Sequence, residues 1–63
     1  MTQHDKILRY LEINKTITPM QAFMELGITK LATRISEMRR AGIEIAGEMQ
    51  YREDSRYMKY WRV

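Results

Sequence analysis

Residues 27 to 42, GITKLATRISEMRRAG, hold four cations and a single carboxylate: Lys30, Arg34, Arg39 and Arg40 with Glu37. The rest of the chain is balanced. Before this stretch Lys6, Arg9 and Lys15 offset Asp5, Glu12 and Glu25; after it Arg52, Arg56, Lys59 and Arg62 offset Glu44, Glu48, Glu53 and Asp54. The net charge of +3 therefore belongs to one segment. Ammonium and guanidinium groups gathered in this way suit a polyanion, because neutralising phosphates releases condensed counterions. Covalent chemistry is not indicated. His4 is the only histidine, cysteine is absent, and no glycine-rich phosphate loop occurs. No catalytic constellation and no metal-ligand spacing results, so no enzyme, cofactor or metal is expected. His4 reads as a solvent-exposed residue of a first helical turn.

Sixty-three residues bound one domain near the lower limit for folding without disulfides. Such a core supplies only about 3–5 kcal/mol of net stability. A hydrophobic fraction of 44% with four Tyr and one Trp argues for a packed domain over a disordered tail. No leader and no run of about 18 apolar residues is present, which predicts a soluble protein with no membrane partner.

The elements that must carry the basic stretch follow from periodicity and caps. Thr2 caps a first helix over residues 3–13, with Asp5 near its positive end and Ile7, Leu8 and Leu11 at helical spacing. Thr16-Ile17 is a brief extended link. Thr18-Pro19 opens a second helix over 19–26, with Gln21 completing a capping box and Gly27 ending it. Its inward residues are Ala22, Phe23 and Leu26, and Ile28 plugs the following turn. Thr29 caps a third helix over 30–41 that buries Leu31, Ile35 and Met38 and turns Thr33, Glu37 and Arg40 outward, at about 100° per residue. A short helix, a four-residue turn and a longer amphipathic helix make a helix-turn-helix.

Beyond Gly42 the period becomes two. Ile43, Ile45, Met49 and Tyr51 share one face of a strand over 43–52, with Gly47 interrupting them. A second strand over 56–62 returns, with Trp61 and Val63 assigned to the helix-facing side and Met58 and Tyr60 to the outer side. Glu53-Asp54-Ser55 lacks an Asn-Gly pair, which predicts a turn longer than two residues. The expected fold class is α+β, three helices followed by a two-stranded antiparallel hairpin. Met20, Met38 and Met49 read as core fillers.

This element order resembles a winged helix-turn-helix domain, and the wording is similar to small helix-turn-helix proteins common in phage and prophage genomes. The segment TPMQAFMELGITKLATRISEMRRAG carries the Thr-Pro start, the Leu-Gly-Ile turn and the Arg-Ile-Ser-x-Leu-Arg run of that family, with Met38 where Leu is usual. Trp61-Arg62-Val63 stands where such domains close on Tyr-Arg-hydrophobic. The resemblance implies a cytoplasmic DNA-binding protein of a bacterial host, a transcriptional regulator or repressor. Two alternatives are a protein-interaction module on the same fold, binding a host or phage protein, and an architectural accessory in recombination. With the third helix in the major groove, Thr29, Lys30, Thr33, Ser36 and Glu37 are candidates for base contact. Thr18, Gln21, Arg34, Arg39, Arg40, Arg56 and Lys59 are candidates for phosphate contact, and Arg52 could also reach the backbone. Ile13, Met24, Met58 and Tyr60, apolar where the pattern expects polar residues, are candidates for self-association as a homodimer.

Overall fold

The computed structural model describes residues 1–63. The chain runs α1 (Gln3–Asn14), β1 (Thr16–Ile17), α2 (Pro19–Leu26), α3 (Leu31–Arg40), β2 (Ile45–Arg52) and β3 (Ser55–Arg62). Local chemistry explains the first two helices. Thr2 Oγ1 accepts from the Asp5 amide at 3.1 Å while Asp5 Oδ2 accepts from the Thr2 amide at 3.4 Å. Thr18 and Gln21 repeat that reciprocal box at 3.2 and 3.1 Å, ahead of Pro19 in the first turn. Gly27 ends α2 with φ +69°, a left-handed value that favours glycine.

The third helix starts differently from expectation. Its N-cap is Lys30, whose carbonyl accepts from the Arg34 amide at 3.2 Å. Thr29 thus stands one position too early to cap, and no side chain caps this end. Both helix ends of the turn are nevertheless held on one buried plug, Ile28, beside Leu31, Ile35 and Met38.

Thr16-Ile17 is more than a link. It forms a third strand, giving a sheet of order β1-β3-β2 with Thr16 opposite Trp61 and Ile17 opposite Tyr60, all antiparallel. Lys15, at φ +75°, swings the chain out of α1 to make this pairing. A two-residue strand carries too little alternation to show in sequence. The hairpin turn is also tighter than expected: Arg52 pairs with Ser55 around Glu53-Asp54. Glu53 takes φ +48°, and Ser55 Oγ donates to the Arg52 carbonyl at 3.1 Å, so side-chain help replaces the missing glycine.

The register corrects the assignment of the last strand. Tyr60 pairs with Gly47 and Ile17, which puts it on the same face as Ile45, against the helices. It is 6% exposed, whereas Trp61 lies half-buried on the outer face opposite Ala46 and Thr16. Gly47 explains the choice. A Cβ there would stand 3.0 Å from Tyr60 Cδ1 and 3.0 Å from Met58 Cε, so the gap in β2 is the space the tyrosine ring fills.

The core unites Ile7, Tyr10 and Leu11 of α1, Ile17 of β1, Ala22, Ile28, the three buried residues of α3, Ile45 and Tyr60. Phe23, Met20 and Met49 do not join it. α2 presents only Ala22 and Leu26 to α1 and α3, and two turns of helix leave no room for a wider inward face. Met49 lies toward the exposed distal end of the hairpin, where residues 51–57 project as a wing.

Candidate nucleic-acid interface

The outer side of α3 is uncovered. Lys30, Ala32, Thr33, Ser36 and Arg40 are exposed, as is Thr29 just before the helix. Ala32, Thr33, Ser36, Glu37 and Arg40 line a shallow depression of about 400 Å³ along the helix. Hydroxyls, a carboxylate and a guanidinium thus share one surface that offers both donors and acceptors. At 1.5 Å rise per residue α3 is roughly 15 Å long, a length that fits a major groove.

A second basic site forms where the wing approaches α2. Thr18, Met20, Gln21, Arg52, Ser55, Arg56 and Tyr57 line a cleft of about 470 Å³. The fold therefore brings Thr18, Gln21 and Arg56 together from separate parts of the sequence and adds Arg52. Lys59 is not with them. It is half-buried on the outer sheet face, paired across the strands with Glu48.

Two of the arginines have partners on the protein, Arg34 half-buried and Arg39 exposed. Arg39 Nε donates to the Ile45 carbonyl at 2.9 Å, and its guanidinium lies over the Tyr60 ring, 5.9 Å from the centroid. That cation–π contact ties α3 to the sheet. Arg34 donates through Nη1 to Gln3 Oε1 at 3.4 Å and through Nη2 to Glu37 Oε2 at 3.2 Å. Its Nε lies 3.2 Å from Glu37 Oε1, near enough for ion pairing but misaligned for a hydrogen bond. Arg40 has no such partner on the protein and stays exposed.

Glu37 gains a partner that sequence reasoning missed. His4 Nε2 lies 2.8 Å from Glu37 Oε1, and because a carboxylate only accepts, the proton of this bond sits on Nε2. His4 is therefore a tie between α1 and α3, not a free surface residue. The two positions are 33 residues apart, and no local pattern signals such a pairing. No third His, Cys, Asp or Glu stands with them to make up a metal-binding group. A matching tie joins α1 to α2, where the Tyr10 hydroxyl donates to Glu25 Oε2 at 2.8 Å. Burial, then the bond and charge of Glu25, push the Tyr10 phenol up.

The bond from His4 holds the Glu37 carboxyl below the usual carboxylate range. Partial burial opposes this, and the charges of Arg34, His4 and Arg40 reinforce it. A carboxyl depressed on folding adds stability above its unfolded value, and that stability is lost as the pH falls through the lower folded value. Glu37→Gln should thus lower the melting temperature slightly at neutral pH. The gap from the unsubstituted protein should close as acid is added through and below the carboxylate range. Melting curves at a series of pH values check this, and a gap that persists undiminished in acid would show that Glu37 acts through packing alone.

The self-association candidates separate in the structure. Ile13 and Met24 are exposed, Met58 is half-buried, and Tyr60 is a core residue and so leaves the set. In its place α2 exposes Met20 and Phe23 beside Met24, at 69, 55 and 71%.

Residues 2–61 match the family model of the winged helix-turn-helix domain. The chain belongs to that family. No curated protein and no solved structure matched it. The order α1-β1-α2-α3-β2-β3, with α2 and α3 as the helix-turn-helix and the β2–β3 hairpin as the wing, agrees with the assignment. A winged helix-turn-helix is a DNA-binding fold and typically not an enzymatic one. No helix of this winged helix is long and apolar enough to cross a membrane.

Proposed function

We propose that the protein binds double-stranded DNA in a sequence-dependent way and acts as a transcriptional regulator of phage or prophage type. In this reading α3 enters the major groove, and the cleft between α2 and the wing receives phosphates. The observation that carries it is the coincidence of charge and exposure. The segment that holds the net charge includes the helix-turn-helix helix whose outer face no other element covers. Lys30, Thr29, Thr33 and Ser36 meet base edges, and Arg40, Thr18, Gln21, Arg52 and Arg56 meet the backbone. Titration of the protein onto duplexes of varied sequence at several salt concentrations tests this. A steep fall of log K with log salt is expected. Binding that is absent, or indifferent to salt, would end the DNA reading.

The exposed stripe of α2 favours a second copy of the chain as protein partner. Met20, Phe23 and Met24 fall at i, i+3 and i+4, one side of a helix, and carry no charge that would oppose the same stripe across a two-fold axis. Three side chains supply well under the roughly 800 Å² per partner of a stable interface. Pairing is therefore expected on DNA, with half-sites about 10 bp apart or a multiple of it, and not in the free protein. Sedimentation of free and duplex-bound protein reads this directly. A monomer in both states would remove the pairing.

A further inference from the structure

Glu37 is the one acidic residue of the basic segment, and the structure does not leave it free. His4 from α1 occupies Oε1 at 2.8 Å, and Arg34 from α3 occupies Oε2 through Nη2 at 3.2 Å. The titratable and charged groups facing the carboxylate are His4 from α1 and Arg34 and Arg40 from α3. We infer that Glu37 is a specificity-determining residue that selects cytosine, and that His4 and Arg34 are the positioning residues that aim it. The inference rests on the DNA-binding reading and deepens it.

Three observations carry it. The carboxylate is neutralised by its own neighbours, so the repulsion a bare Glu would meet between phosphates is offset before DNA arrives. Its side chain nevertheless keeps 41% of its surface, and it lines the outer depression of α3 together with Thr33, Ser36 and Arg40. Finally, its rotamer is held from two helices, so the ordering cost of a base contact is met during folding.

The chemistry then selects the base. Each carboxylate oxygen accepts more than one hydrogen bond, and each here retains acceptor capacity. Only a donor suits it. In the major groove the donors on base edges are the cytosine N4 amino group and the adenine N6 amino group. Adenine N6 stands beside the N7 acceptor, whose lone pair repels a carboxylate. In the duplex adenine N6 stands between N7 and the paired thymine O4, whereas cytosine N4 has the paired guanine O6 on one side and only the C5–H edge on the other, so cytosine meets a carboxylate with less repulsion.

The test is selection from a randomised duplex library by the unsubstituted protein, Glu37→Gln, His4→Ala and His4→Gln. Titrations follow on duplexes that differ only at the selected base, and thermal unfolding shows each variant folded at the assay temperature. The unsubstituted protein should require cytosine at one position, by about tenfold or more over adenine. Glu37→Gln should transfer that preference to adenine, because an amide can pair with N6 and N7 together. His4→Ala should lose most of the discrimination yet keep its affinity for random duplex. His4→Gln, whose amide can donate where Nε2 did, should restore it. A Glu37→Gln profile identical to that of the unsubstituted protein overturns the inference while leaving DNA binding intact. Equal loss by His4→Ala on every duplex makes His4 a structural tie only and overturns its positioning role. Failure of the unsubstituted protein to select any sequence overturns this inference and the sequence-dependent reading together.

Discussion

Tyr60→Ala should unfold the protein at ordinary temperatures, and Trp61→Ala should not. Tyr60 is 6% exposed, lies among Ile17, Ile45 and Gly47 on the helix-facing side of the central strand, and stacks beneath Arg39. Removing a buried aromatic ring costs about 3–5 kcal/mol, which is the whole of what a core this small supplies. Trp61 is half-buried on the outer face, so its truncation should cost about 1 kcal/mol. Gly47→Val approaches the same contact from the other strand. Its side chain would press on the Tyr60 ring, for an overpacking cost of about 1–3 kcal/mol. Urea or thermal unfolding of the three variants decides the matter. If Trp61→Ala proves the most damaging, the register of β3 is shifted by one residue.

On helix α3, two kinds of loss are expected, and salt separates them. Lys30 and Thr33 are exposed near the start of the helix, the part that reaches base edges when such a helix enters the groove. Replacing either by Ala should lose about 1–3 kcal/mol on a preferred duplex and much less on random DNA. Arg40 stands on the same side about two turns later, exposed and unpaired, where the helix leaves the groove. Arg40→Ala should weaken preferred and random duplexes alike and reduce the slope of log K against log salt by about one. Arg39→Ala provides the contrast. Its guanidinium serves Ile45 and Tyr60, so the loss should appear mainly in stability. If no α3 variant alters affinity for any duplex, that helix is not the reading element.

How much of this was legible in the residues depends on the range of the interaction concerned. Capping is local. Thr2 with Asp5 and Thr18 with Gln21 lie three residues apart, Pro19 and Gly27 restrict their own dihedrals, and the buried stripe of Leu31, Ile35 and Met38 is a matter of spacing. Such signals determined the helices, the helix-turn-helix and the winged fold class, and the concentration of charge singled out α3. Tertiary structure decided whatever depended on partners distant in sequence. Strand β1 exists because β3 returns beside it. Tyr60, and not the larger Trp61, enters the core because register sets it opposite a glycine, and a slip of one residue exchanges the two faces. His4 meets Glu37 across 33 residues, and Arg34 and Arg39 acquire partners within the protein because α1 and the sheet lie within their reach. A side chain's residue type defines the bonds it can form, and only packing defines which partner arrives first.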